Sequence, residues 1–379
     1  MISWSADQIA LGDGIGRWCE ELSAGHLERD AEGAFPWDKW ALIRKSGILG
    51  LPFDEQWGGL GQDLLTTMHV LERLGTGCRD GGLNFSVATH LVSAGVPLQR
   101  FGSPELKARH LPGICSGETI GAHAISETES GSDALAMRTT ATREGDGFVL
   151  RGSKSFVTNG PVAGLFTVYA RTHPDGGPLG ITAFAVERDT PGLVVGAPVA
   201  TMGLRTAPLG ELHFDDCRIP ASAVIGRVGS GFLVLDHVMK WEILCSFVVT
   251  AGQMRHRLDR CVEYARERVQ FGRPIGSNQS ISHRIVDMRI GLDTARKWLY
   301  DTAVRLTAGE NVTTDIAVSK LLAGESNLAS ALAAVQIFGG SGYLTEYGLE
   351  KDLRDAVAGP IYSGTTEIQR NRIAAMLGL

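Results

Sequence analysis

One carboxylate and one hydroxyl frame the chemistry that this chain could do. Glu242 lies in "MKWEILCS", and on a helix its i−7, i−4, i−3 and i+4 neighbours are Leu235, Val238, Met239 and Ser246. It therefore shares a largely apolar helix face. A lone carboxylate on such a face is desolvated, and desolvation raises a carboxylate pKa and makes it a better base. The ordinary alternative is a solvent-exposed helix Glu. Ser363 lies in "IYSGTTEIQR" (361–370) near the C-terminal end. Its hydroxyl is far too weak a base near neutral pH without an activator of its own.

Other chemistries find no support. The ten His are dispersed, without H-E-x-x-H or paired ligand spacing, so no metal site is expected. There is no G-x-S-x-G and no G-x-G-x-x-G; "GGSGYLTEY" is only Gly-rich, so a Rossmann dinucleotide site is unsupported. The formal net charge of −6 makes no electrostatic case for nucleic acid or an anionic membrane. The six Cys are scattered without C-x-x-C, as expected of free thiols in a reducing cytoplasm. "MISWSADQIALGDGIG" lacks the basic start and apolar run of a signal peptide. No stretch of about 18 or more apolar residues suggests a membrane span.

The chain of 379 residues is long for one core, and its texture divides in three. Residues 1–119 alternate helical patterns with Gly/Pro breaks. "PWDKWALIRKSGILGLP" stops at Gly50 and Pro52, "LLTTMHVLERLGTG" closes at Gly75 and Gly77, and "SPELKARHLPGICSGE" starts at an N-cap Ser103 with Pro104 in its first turn. Residues 120–229 shift to a period of two in "GFVLRGSKSFVTN", "LFTVYART", "ITAFAVER" and "ELHFDDCRIP", a β domain inserted between helical regions. Residues 230–379 return to long helices with short loops, which suggests an antiparallel four-helix bundle.

Five segments occur in order across this layout: "AISETESGSD" (124–133), "SFVTNG" (155–160), "RVQFGRPIGSNQ" (268–279), "QIFGGSGYLTEY" (336–347) and "RDAVAGPIYSGTTEIQR" (354–370). Each alone has a bland reading as an acidic loop, a helix stop or a cap. Together with "WGGLG" (57–61) and "FGSPELKARHLPG" (101–113), they resemble the acyl-CoA dehydrogenase flavoproteins over nearly the whole chain. The resemblance implies an α+β fold: an N-terminal helical domain, a middle β-barrel or sandwich domain and a C-terminal four-helix bundle. It also implies FAD. A flavin needs its ring edge hydrogen-bonded, its faces against apolar surface and its pyrophosphate met by donors. By resemblance, Ser126 and Thr158 meet the isoalloxazine edge, Phe156 lies against the ring where the family often has Trp, and Ser132 bonds the pyrophosphate. Thr365 and Glu367 meet the FAD of their own subunit. Arg268, Phe271 and Gln279, with Gln336 and Gly340, reach the FAD of a neighbouring subunit, which implies a dimer or a tetramer.

In the family a carboxylate takes the α-proton of a thioester, the β-hydride passes to flavin N5, and an enoyl thioester results. The residue after the tail Tyr is usually that carboxylate, and here it is Ser363. By resemblance, the Ser363 backbone N–H still donates to the thioester carbonyl. A minority of the family carry the base on the first long helix of the bundle, and an ungapped count puts Glu242 there. The helix-base members usually have Arg next, where this chain has Ile243, and CoA users often have Asp where it has Lys240. A branch resembling this chain oxidises acyl or aminoacyl groups tethered to carrier proteins, prolyl-carrier-protein dehydrogenases among them. The expected substrate is therefore an acyl thioester on a carrier protein or on CoA. The acceptor is an electron-transfer flavoprotein or oxygen. A flavin monooxygenase on the same fold and a non-catalytic flavin-binding homologue are the rival readings.

Overall fold

Helices α1 (Ala6–Gly16), α2 (Cys19–Ser23), α3 (His26–Glu32), α4 (Trp37–Ser46), α5 (Leu64–Gly77), α6 (Gly81–His90), α7 (Val96–Phe101) and α8 (Pro104–Ser116) occupy the first third of the computed structural model, which describes residues 3–379. Their starts are written locally. Ser5 and Gln8 form a capping box on α1, Asp63 caps α5, and the Ser103 hydroxyl accepts from Leu106 N–H at 3.2 Å on α8.

Two helix ends differ from the sequence expectation. α4 stops earlier, at Gly47, whose φ of 78° is the left-handed turn that glycine adopts freely. Gly75 lies inside α5 and is no cap. A Cβ there would stand 2.1 Å from the Val249 carbonyl oxygen, and one at Gly252 would stand 2.2 Å from the Glu72 carbonyl oxygen. These two glycines let the backbones of α5 and its partner helix touch. Between α6 and α7, Leu91–Gly95 widens into a π-helical turn.

Strands β1 (Gly121–Ala124), β2 (Thr140–Glu144), β3 (Gly147–Thr158), β4 (Leu165–Arg171), β5 (Ile181–Glu187), β6 (Leu193–Val195), β7 (Leu209–Pro220) and β8 (Val224–Ile225) form one sheet in the order β6-β7-β3-β2-β4-β5-β8, with β1 added parallel to β4. The sheet wraps a core that includes Phe148, Leu150, Phe166, Val168, Phe184 and Phe214. β4 and β5 are not half-exposed strands. Phe166 and Val168 fill the sheet core, while Leu165, Tyr169, Ile181 and Ala183 join the helical core on the opposite face. Burial on both faces explains their near-continuous apolar runs.

α9 (Gly231–Glu267) crosses the molecule for about 55 Å at about 1.5 Å per residue. A two-stranded hairpin, β9 (Val269–Gln270) and β10 (Arg273–Pro274), turns the chain into α10 (Gln279–Thr307), followed by α11 (Thr313–Phe338), α12 (Leu349–Val357) and α13 (Thr366–Met376). α9, α10 and α11 pack on one another, and α12 and α13 pack on α11. α9 also lies along α5 and reaches β5. Thr313–Tyr343 has a mean hydropathy of 1.3 over an 18-residue window, long and apolar enough to cross a membrane by composition. Its helix packs on α9, α10, α12 and α13 and carries the fully buried Lys320.

Candidate active site

Glu242 is 8% exposed, on the face of α9 that buries Leu235 and Val238. Glu242 there meets His123 of β1 and lies near Tyr169 of β4. The parallel register pairs His123 with Thr167, so His123 and Tyr169 point to the same side of the sheet, away from the sheet core. His123 Nε2 lies 3.2 Å from Glu242 Oε2, close enough for an ion pair when the ring is protonated. Oε2 nonetheless accepts no hydrogen bond of good geometry among the described residues. Burial pushes the Tyr169 hydroxyl pKa up, and the Glu242 charge adds to the rise.

The other carboxylate oxygen, Oε1, accepts from the Ser363 hydroxyl. Ser363 adopts a φ of +55°, rare for a residue other than glycine, and Gly364 follows at +85°. Three contacts impose this turn. Tyr362 is wedged between Phe85 (4.8 Å) and a stacked Phe247 (5.2 Å). The buried Gln369 side chain donates to the carbonyls of Ser363 (3.0 Å) and Gly364 (3.1 Å). The Thr365 hydroxyl caps α13 by accepting from Ile368 N–H. The Ser363 N–H donates to no acceptor among the described residues. The carboxylate is thus in contact with a residue whose backbone N–H is free, and removal of a proton beside a carbonyl requires a base and a donor of these two kinds.

Ser126 lies two residues beyond the end of β1. Its carbonyl accepts from Ser155 N–H at 2.9 Å, which ties the 126–133 loop to β3. There β3 bulges between Lys154 and Val157 against β7. The bulge turns Phe156 outward, 70% exposed at a φ of +57°. Beneath it, the Lys154 ammonium is fully buried and donates to Glu127 Oε1 at 2.8 Å. Burial lowers the Lys154 pKa to about 8 against the pull of Glu127. Burial pushes the Glu127 carboxyl up, yet Lys154, Thr139 and Arg138 together hold it below its ordinary value. A strained, outward-facing aromatic beside the part-exposed Ser126 and Thr158 fits the edge and face of a flat ring. Ser132 is exposed on the same loop. Glu367 is exposed in the first turn of α13, where the helix N–H and the Thr365 hydroxyl hold its carboxyl below the usual range.

The remaining candidates lie elsewhere. Arg268 is roughly 39 Å along α9 from Glu242 at about 1.5 Å per residue. Tyr264 stacks on Phe338 at 3.9 Å, so the ends of α9 and α11 meet, with Arg268, Gln336 and Gly340 beside that contact. All three are exposed, as is Gln279. Phe271 sits 98% exposed on the two-residue hairpin turn with Gly272, both at positive φ (50° and 77°). These residues cannot share a ligand with the Glu242 site of their own chain. Lys240 pairs with Asp236 at 2.6 Å on its own helix. Among the described residues no His/Cys/Asp/Glu group could hold a metal.

Sequence reasoning missed His123 and Tyr169. His123 carried no motif, and Tyr169 read as an ordinary strand aromatic. Their meeting with Glu242 depends on the β1–β4 register.

Models of the N-terminal, middle and C-terminal domains of acyl-CoA dehydrogenase match residues 5–118, 122–217 and 229–378. The chain is 41% identical over 342 residues to an L-prolyl peptidyl-carrier-protein dehydrogenase of Pseudomonas fluorescens, covering 90% of each. Its structure resembles that of the prolyl acyl carrier protein oxidase AnaB, with a TM-score of 0.97, 37% identity and full coverage of both chains. It also resembles PigA with FAD and proline, with a TM-score of 0.97, 37% identity and coverage of 100% of this chain and 99% of that one.

Proposed function

The chain belongs to the acyl-CoA dehydrogenase family, and from that premise we propose that it is an FAD-dependent dehydrogenase of a thioester, with a prolyl group on a carrier protein as substrate. The observation that carries this reading is the contact of Glu242 with Ser363. It sets a carboxylate from α9 against the tail turn, where Ser363 itself offers no base.

Bound FAD supplies the acceptor for the β-hydride. Ser126, Thr158 and Phe156 would hold its ring, and Ser132, Thr365 and Glu367 would meet the rest of it from the same chain. Glu242 takes the α-proton. The Ser363 N–H steadies the carbonyl oxygen as negative charge builds there. The Ser363 hydroxyl and His123 orient the carboxylate. Arg268, Phe271, Gln279, Gln336 and Gly340 would serve the FAD of a second copy, so the working unit is a dimer or a tetramer. The exposed Phe271, Tyr343 and Leu332 at that end of the bundle support such an assembly. An electron-transfer flavoprotein or oxygen takes the electrons. The six buried free thiols suit a cytoplasmic setting.

The test mixes the oxidised, FAD-loaded protein anaerobically with prolyl-carrier-protein and with acyl-CoA thioesters and follows flavin bleaching. Bleaching by the prolyl carrier is expected. Bleaching by acyl-CoA alone would move the substrate to CoA. If no thioester bleaches the flavin and external reduction leads to oxygen insertion, the monooxygenase reading replaces this one.

A further inference from the structure

The junction of α9 with β1 and β4 holds several buried polar atoms that nothing among the described residues satisfies. They are Tyr169 Oη, Ser246 Oγ and His123 Nδ1, beside the unbonded Glu242 Oε2. Ser246 is one helical turn beyond Glu242 on the same face of α9 and is buried. It also lines a small cavity with Phe85, Val249, Thr250 and Tyr362. Tyr169 is fully buried, and His123 lies against the base. Interiors rarely leave buried hydroxyls and ring nitrogens unpaired, because each loses its hydrogen bonds to water without replacement. Two of these atoms belong to side chains beside the Glu242 carboxylate and the third lies one helical turn along α9, and such atoms are places kept for polar atoms of a ligand.

Beyond the thioester carbonyl, which the Ser363 N–H meets, a plain acyl chain has no polar atom near the carbon that loses its proton. An α-amino thioester has one, since its nitrogen is bonded directly to that carbon. Any pose that brings the α-proton to Glu242 therefore brings the nitrogen to the same junction. Hydroxyls and imidazole can each donate to an amine lone pair or accept from its N–H.

We propose that Tyr169, Ser246 and His123 form the wall that reads the α-amino nitrogen and so selects aminoacyl over plain acyl thioesters. This rests on the dehydrogenase reading above and deepens it. Tyr169 and Ser246 bind the nitrogen. His123 is a positioning residue that spans the nitrogen and the base.

The test compares two carrier-protein thioesters with the same ring size, prolyl and cyclopentanecarbonyl, the second having CH₂ in place of NH. Anaerobic bleaching of the FAD-loaded full chain gives kcat/KM for each. The native protein is expected to favour prolyl. In Tyr169→Phe and in Ser246→Ala the prolyl-to-cyclopentanecarbonyl ratio should fall about tenfold, the scale of one unmade hydrogen bond in a specific site. The same substitutions should raise the thermal midpoint of the ligand-free protein, because each deletes an unsatisfied buried hydroxyl. A ratio that stays within twofold in both variants, or a lowered midpoint in both, overturns the proposal and assigns these hydroxyls to the fold or to trapped water. A native protein that bleaches equally with both thioesters overturns it while leaving the dehydrogenase reading standing. Bleaching with neither sinks the reading beneath it.

Discussion

Glu127 and Glu242 are both buried carboxylates near the end of β1, at 7% and 8% exposure. Their surroundings are opposite. Glu127 Oε1 accepts from Thr139 N–H and the Lys154 ammonium, and Oε2 accepts from Arg138 N–H. Glu242 has one oxygen on Ser363 and the other 3.2 Å from His123 Nε2 but without a hydrogen bond among the described residues, near further unpaired polar atoms. A carboxylate satisfied by its own chain holds a loop in place. A carboxylate left half-satisfied at a junction of elements is available to something that comes and goes. Burial alone does not separate the two; the count of satisfied lone pairs does.

The contrast can be broken most forcefully at Glu242. Glu242→Gln should slow anaerobic flavin bleaching by prolyl thioester about 10³-fold or more, the scale of a lost general base, without lowering the thermal midpoint. A healthy rate in that variant would place the base elsewhere. Lys154→Met should do the reverse. It strands the buried Glu127 charge and costs about 3–5 kcal/mol in urea unfolding. A cost below about 1 kcal/mol would mean that Glu127 is not held by its pair.

Acid tests the anchor of β1. His90 Nδ1 accepts from Gly121 N–H at 3.0 Å, and Nε2 donates to the Ile114 carbonyl at 2.9 Å, so the ring must be neutral. Burial lowers its pKa from 6.5 to about 4. Between these values the unfolded chain binds the proton and the folded one does not. The contribution is therefore complete above about pH 6.5 and is lost at up to about 1.4 kcal/mol per pH unit as pH falls toward 4. Urea midpoints at pH 7.5, 6 and 5 should show this slope, and His90→Gln should flatten it. An equal slope in both proteins would assign the acid sensitivity to other groups. The smallest effect is expected at Ser363→Ala. It removes the hydroxyl but keeps the N–H, so the bleaching rate should fall less than about tenfold.

The three-part layout and the long helices were legible because helical and strand periods are local. The helix that carries Glu242 could be read from Leu235, Val238 and Ser246, which are neighbours on it whatever the fold. Gly75 misled for the same reason. By local rules a glycine near a helix end is a cap, and only the crossing with α9 gives it another purpose. The polar wall was hidden because His123, Tyr169 and Glu242 are far apart in sequence and are joined by strand register. The flavin-edge candidates carried motif signals, but the bulge that exposes Phe156 depends on its pairing with β7.

The crossing at Gly75 and Gly252 ties the first third of the molecule to the helix that carries Glu242, backbone against backbone. With no side chain between the backbones at this crossing, the two helices have no layer there that could loosen gradually. On heating, the N-terminal helices should therefore not peel away while Glu242 stays in place. Loss of that layer and loss of the site should coincide in a single transition, and a fragment lacking α5 would leave α9 with a bare seam.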